Sequence, residues 1–286
     1  MNFSDIKNII DSNRFDTFYK EIKKKKSNKK FDISIIIPVR GRIDFLNICL
    51  THLKSAINRT NLKINITIIE HSNKREYYEI CKSNDIGYYW INSLENKFNK
   101  CLCHNIGSLL NKNSNYFLFH DLDCLVYDNF LINLIENKEY KKSECLQTFY
   151  NRRVLYLNEV QTEKLLNNRI TINEINLDDV REGDYGAPGG SILVNKDLFF
   201  NVGGYDPELF YGWSPEDIFF WDKIETIEKI HSVDNPKNEL LHLHHQIQSD
   251  KDSLLLEELY ENIKKLGNVV LNDVVNYKSE IIKKYI

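Results

Sequence analysis

From Phe31 to Asp123 short apolar runs alternate with amphipathic stretches, and only brief polar breaks separate them. Phe31–Pro38 (FDISIIIP) is dense in β-branched isoleucine, the pattern of a strand buried on both faces. Ile43, Leu46, Leu50, Leu53 and Ile57 then recur at helical spacing. Asn65–Glu70 and Gly87–Ile91 repeat the strand pattern, Tyr77–Lys82 and Lys97–Leu110 the helical one, and Tyr116–His120 (YFLFH) closes the series. Strands and helices in alternation predict parallel βαβ units and an α/β fold. Ligands bind such sheets beyond the carboxyl ends of the strands. Arg40, Glu70 and Asp121-Leu122-Asp123 all fall at those ends, which points to a nucleotide-type site.

The second half is less regular. Glu144–Tyr150 and Ser191–Val194 have strand character, Asn158–Asn167 is helical, and Ile170–Gly186 has no clear period. Pro215–Glu228 is expected to be a helix with Ser214 as its cap and Pro215 in its first position. Leu240–His245 has the pattern of a strand, and Asp250–Ile286 that of a helix broken near Gly267.

The net charge of −3 gives no pull toward nucleic acid. No signal peptide is visible and no run of about 18 apolar residues exists, so no membrane span is expected. A cytoplasmic chain follows as the expectation. The basic run around Lys23–Lys26 and Lys29-Lys30 is a solvated linker by preference, with peripheral contact to the inner, anionic face of a membrane as the alternative. The six cysteines form no paired Cys-x-x-Cys knuckles. Cys101-Leu102-Cys103-His104 lies in a helical segment, where residues two apart point to different sides. Buried free thiols in a reducing compartment are the favoured reading.

Two carboxylate clusters carry the chemistry. Asp121-x-Asp123, directly after an apolar strand, suits a hard divalent cation whose shell substrate phosphates would complete. Leu241-His242-Leu243-His244-His245 supplies imidazoles, one of which could reach the same cation if it is Mn²⁺. In an extended strand His242 and His244 would share one face and His245 the other. Arg40 and Arg42 flank Gly41, and their guanidinium forks match a diphosphate. Glu216 and Asp217 stand at a helix N-terminus, which stabilises their charge and also suits a general base. Tyr211 and Trp213 beside them offer flat faces to a sugar. Gly189-Gly190 and Gly203-Gly204 allow close backbone approach or tight turns.

Taken in order, these blocks resemble the metal-dependent glycosyltransferases of the GT-A fold. The likeness is greatest to the group of β-1,4-galactosyltransferases and bacterial chondroitin-type polymerases, over residues 33 to 246. The blocks are Ser34–Arg42, Lys97–Lys100 with Asn105-Ile106-Gly107, Asp121-Leu122-Asp123, Gly189-Gly190 through Asp217, and the histidine cluster. The resemblance implies a Rossmann-like mixed central sheet flanked by helices, with a C-terminal helical extension. Around it, residues 1–30 have the pattern of a short helix and basic linker and 250–286 that of a helical extension, with the transferase domain expected at 31–249. Pro38, Arg40, Arg42, Phe98, Lys100 and Asp121 would bind the nucleotide. Asp123, His245, His242 and Asp121 would serve Mn²⁺ or Mg²⁺. Gly190, Tyr211, Trp213 and Glu216 would line the sugar and acceptor pocket, and Asp217 would be the catalytic base. The family's usual glycine between the tryptophan and the acidic pair is replaced here by Ser214-Pro215. The implied activity is inverting transfer of a hexosyl unit, galactose or an N-acetylhexosamine, from a UDP-sugar to a glycan hydroxyl. A retaining transferase, a sugar nucleotidyltransferase and a non-catalytic glycan-binding module are the alternatives.

Overall fold

Ile33–Val39 (β1) is buried along its whole length. Ile33, Ile35, Ile37 and Val39 enter one apolar cluster and Ile36 the other, because successive side chains of a strand point to opposite faces. The central sheet is therefore covered on both sides. The structure is a computed structural model that describes residues 1–12, 15–25, 29–94, 97–136, 144–149, 154–182, 189–233, 235, 238–246 and 252–286. Lys26, the expected strand end at Tyr150, residues 183–186 of the expected irregular stretch and the boundary at 249–250 lie outside these residues.

Two helices, α1 (Phe3–Asp11) and α2 (Asp16–Lys23), precede β1. The chain continues through α3 (Ile43–Asn58), β2 (Ile64–Ser72), α4 (Tyr78–Ser83), β3 (Gly87–Asn92), α5 (Lys100–Leu110) and β4 (Tyr116–His120). β1 pairs in parallel with β2 and β4, and β2 with β3, as the alternation predicted. Next come β5 (Cys124–Leu125), α6 (Phe130–Glu136), β6 (Cys145–Gln147), β7 (Val154–Tyr156), α7 (Glu159–Leu166) and β8 (Arg181–Glu182). β9 (Ser191–Asn195), α8 (Lys196–Asn201), α9 (Glu216–Glu225), β10 (His231–Ser232), β11 (Leu240–His242), α10 (Ser253–Lys265) and α11 (Gly267–Lys283) complete it. β9 lies antiparallel between β4 and β6, so the sheet is mixed, in the order β10-β6-β9-β4-β1-β2-β3. A second sheet, β5-β11-β7-β8, brings the segment after β4 against the histidine-bearing strand.

One local expectation is corrected. Ser214 does not cap α9: Pro215 holds the cap position without a side-chain bond, and the Ser214 hydroxyl donates to the Glu216 carboxylate at 3.0 Å. In contrast, α5 starts at Lys100 because Asn99 caps it, accepting from Leu102 N–H at 2.8 Å.

α3, α6 and the second sheet cover one face of the central sheet, and α5, α8 and α9 cover the other. The terminal helices join this second face through Ile6, Ile10, Tyr19, Leu256, Tyr260, Ile263, Val274 and Ile282. A buried ionic cluster fastens them. Lys278 of α11 meets Glu208 at 2.7 Å and Asp206 at 3.8 Å, and Lys223 of α9 pairs with Asp206. Gly203 has φ +80°, and a Cβ there would collide with Lys278. No helix of the described residues is long and apolar enough to cross a membrane.

Candidate active site

β4 ends in a fixed turn. The buried His120 ring lies 3.2 Å from Ser191 Oγ and 3.0 Å from the Cys124 carbonyl, and burial lowers its pKa to about 4. Asp121 N–H donates to the Gly190 carbonyl at 2.9 Å, and Leu243 N–H to the Asp123 carbonyl at 2.8 Å. Strand β4, the glycine pair and the end of β11 are thereby locked around the two aspartates.

Asp123, His242 and His245 present ligand atoms that all lie within 4.8 Å of one another. His245 Nε2 stands 3.1 Å from Asp123 Oδ2, and His242 Nε2 3.7 Å from Asp123 Oδ1. His242 Nδ1 is buried with no hydrogen-bond partner among the described residues. One carboxylate and two imidazoles at this spacing fit Mn²⁺, which accepts imidazole alongside oxygen, better than Mg²⁺, which prefers oxygen donors. Burial opposes ionisation of Asp123, but the His245 hydrogen bond and the charges of His242 and Arg42 outweigh it and hold the carboxyl well below its usual range.

The grouping of the histidines differs from that of an extended strand. β11 stops at His242, and the Leu243–Asp123 backbone bond turns the chain, so the His242 and His245 rings come within 5.1 Å. His244 is exposed, and its backbone N–H goes to Thr162 Oγ1 instead. Asp121 stands outside this ligand group. Its carboxylate meets Lys100 at 3.0 Å.

Lys100 joins the two acidic clusters. Its ammonium is 3.0 Å from Asp121, 2.9 Å from Asp217 and 3.7 Å from Glu216, with only 13 % of its side chain exposed. Burial disfavours the charge, yet the three carboxylates hold the Lys100 pKa well above its ordinary value. Burial, opposed by Lys100, raises Asp121 to about 6, and burial with the Asp217 charge raises Glu216 to about 8. Glu216 thus holds its proton to higher pH than an ordinary carboxyl, while Asp217 makes the closest ammonium contact. A Cβ on Gly189 would collide with the Asp217 carboxylate, and Gly190 has φ +89°. The close approach at the glycine pair follows the expectation, whereas the lysine bridge was not foreseen. The only linear signal for the first is the glycine pair itself, and for the second there is none.

The remaining predicted residues flank this centre. Arg42 Nη1 donates to Asp123 Oδ2 at 2.7 Å. Arg40 lies near His71, where burial first and the Arg40 charge second lower the imidazole pKa to about 4. The rings of His71 and Phe98 are 6.2 Å apart, and the Phe98 carbonyl accepts from Gly212 N–H at 2.7 Å. Pro38 sits in β1 opposite Ile69. The Lys97 ammonium lies 4.9 Å over the Tyr211 ring, and Trp213 is 53 % exposed. Glu70, expected at a strand end, lies within β2 and accepts from Ser72, Tyr88 and the N–H groups of Glu76 and Tyr77. It braces the segment that follows β2. Cys101, Cys103 and His104 are buried in α5, and all six cysteines are free.

No curated protein sequence matches the chain. Among solved structures, the fold resembles a Drosophila β-1,4-galactosyltransferase 7 variant in complex with manganese, UDP-Gal and xylobiose. The TM-score is 0.50 and the identity 14%, over 77% of this chain and 75% of that one. It also resembles GalNAc-T7 with UDP, GalNAc and Mn²⁺, with a TM-score of 0.55 and 16% identity, over 83% of this chain and 48% of that one. These likenesses show the GT-A fold. The pattern of the family described as "Glycosyltransferase like family 2" matches residues 34–265, which takes in every element from β1 to α10. With the acidic turn after β4 and the carboxylate pair of α9 both inside that span, the chain belongs to this glycosyltransferase family.

Proposed function

We propose that the protein is a metal-dependent transferase that moves a hexosyl unit from a UDP-sugar to a hydroxyl of a glycan or polysaccharide, with inversion at the anomeric carbon. One observation carries this reading: a carboxylate–imidazole group fit for Mn²⁺ includes Asp123, and two residues before it Asp121 is bridged by Lys100 to Asp217, a carboxylate fit to act as base. The two similar structures, which hold UDP or UDP-Gal with manganese, support the choice of donor and cation.

In this mechanism Asp217 accepts the proton of the acceptor hydroxyl. The oxygen attacks the anomeric carbon as the bond to the diphosphate breaks. Asp217 acts here as the carboxylate, and the Lys100 ammonium lies 2.9 Å from its Oδ2. Asp123, His242 and His245 would hold the cation, which would neutralise charge on the departing diphosphate. Arg40 and Arg42 would add guanidinium contacts to the same group. Tyr211 and Trp213 would pack on sugar faces. Galactose or an N-acetylhexosamine is the proposed donor sugar.

The test is a panel of UDP- and GDP-sugars incubated with Mn²⁺, Mg²⁺ or EDTA, with release of the nucleotide diphosphate measured. Slow Mn²⁺-dependent release of UDP from one donor is the expected result. Silence from every donor, with no donor binding, would favour a glycan-binding role. Asp123→Ala is expected to abolish metal-dependent donor binding by calorimetry, and an unchanged donor affinity would remove the metal assignment.

Glu216 gives a prediction with a defined sign. Its folded pKa of about 8 is raised above the ordinary carboxyl value, so it keeps its proton at pH 7 and loses it as pH rises through about 8. The new anion would then compete with Asp217 for Lys100. Activity of the wild type is expected to fall on that alkaline limb. Glu216→Gln, which mimics the protonated acid, should work at pH 7 and lack the fall. A Gln variant that is inactive at pH 7 would show that the Glu216 anion is needed.

A further inference from the structure

The cation-ligand group and Arg42 meet at a single atom. Asp123 Oδ2 accepts from Arg42 Nη1 at 2.7 Å and faces His245 Nε2 at 3.1 Å. A guanidinium cannot ligate a cation, and beside a shared oxygen it repels one. Arg42 is also held in an uncommon way. It has φ 56° and ψ 39°, the left-handed region, and the preceding Gly41 has φ +63°. Arg42 occupies the N-cap position of α3 yet makes no side-chain cap bond. Two successive left-handed residues are a backbone cost that a non-glycine residue accepts when something else fixes it. Here they aim the guanidinium at Asp123. The arrangement is a one-site contest between a side chain and a divalent ion.

We propose that Arg42 couples cation binding to donor binding. While its guanidinium holds Asp123 Oδ2, it weakens the affinity of the Asp123–His242–His245 group for a divalent cation. A nucleoside diphosphate offers the guanidinium a better partner, a bidentate phosphate, and draws it from the carboxylate. The cation then binds the freed oxygen without a neighbouring positive charge. Cation and diphosphate each raise the affinity of the other, and reciprocity requires the same factor for both. Arg42 is in this sense a positioning residue. The inference rests on the proposed metal site but goes beyond it, because a metal site alone does not specify the sign of the arginine's effect.

The test measures Mn²⁺ binding by electron paramagnetic resonance of the free ion, with and without UDP. The proteins compared are the wild type, Arg42→Asn and Arg42→Gly, whose new residues both tolerate the left-handed turn. Without UDP, both variants are expected to bind Mn²⁺ roughly tenfold more tightly than the wild type, within the usual range of coupling between sites. Their gain in Mn²⁺ affinity on adding UDP should shrink by a similar factor. Arg42→Lys, which keeps the charge, should stay near the wild type. Equal or weaker Mn²⁺ binding by folded variants overturns the proposal and makes Arg42 a residue that merely orients Asp123. If the variants do not fold, a wild type whose Mn²⁺ affinity is unmoved by UDP overturns it as well. Absence of Mn²⁺ binding by every protein, with and without UDP, would instead remove the metal site itself.

Discussion

Asp217→Asn is expected to lower kcat roughly 10²–10⁴-fold, the usual contribution of a positioned general base. The substitution keeps the shape that Gly189 accommodates and removes only the proton acceptor. It also frees Lys100 from one of its three carboxylates, so donor affinity should hold or tighten while kcat falls. That split between binding and turnover separates loss of a base from collapse of the site. Steady-state kinetics with the natural donor, beside UDP binding by calorimetry, would read it. A variant with kcat close to wild type would pass the role of base to another group. Glu216→Gln is the matched control, since it alters the neighbouring carboxyl without altering its charge at pH 7.

The second large effect concerns stability. Lys278→Ala is expected to cost about 3–5 kcal/mol, because it leaves the buried Glu208 carboxylate without its counter-ion. The Lys278 side chain is 3 % exposed, and its partners Glu208 and Asp206 are 2 % and 1 % exposed. Urea unfolding followed by circular dichroism would measure the shift. Lys278→Met combined with Glu208→Gln should recover much of the loss, since neutral side chains of similar volume carry no uncompensated charge. A shift of under about 1 kcal/mol for Lys278→Ala would mean that water reaches the cluster, as at an exposed pair.

The parts of the fold legible in the sequence are those governed by local pattern. β1, α3, β2, β3 and β4 lie within about two residues of their expected bounds, because a short run rich in β-branched or aromatic residues or a 3.6-residue period marks each one. β7, β8 and β10 are two or three residues long, and no periodicity can appear over so short a span. Their existence depends on partners far along the chain. The same distinction applies to the site. Asp121, Asp123, Glu216 and Asp217 stand out by type and place. The Lys100–Asp217 contact joins residues 117 positions apart, and nothing near Lys100 in sequence announces it. The pairing of His242 with His245 turns on one backbone bond, Leu243 N–H to Asp123 O, which a strand pattern does not contain.

The terminal helices have a consequence for how the molecule is made. Phe3 packs edge-on against Tyr277, Tyr19 lies 5.2 Å from Tyr285, and the Asn105 amide of α5 donates to the Tyr19 hydroxyl. The helix that carries Lys100 is thus covered by residues from both extremes of the sequence. During synthesis the sheet strands can pair as they emerge, but this face stays open until α11 has left the ribosome. Contacts of such long sequence separation form late. A nascent chain halted before residue 253 would display Phe199, Phe219 and Phe220 without the side chains of α10 and α11 that share their cluster. A vulnerable period is therefore the interval between translation of α9 and arrival of α11, when exposed aromatic surface invites aggregation.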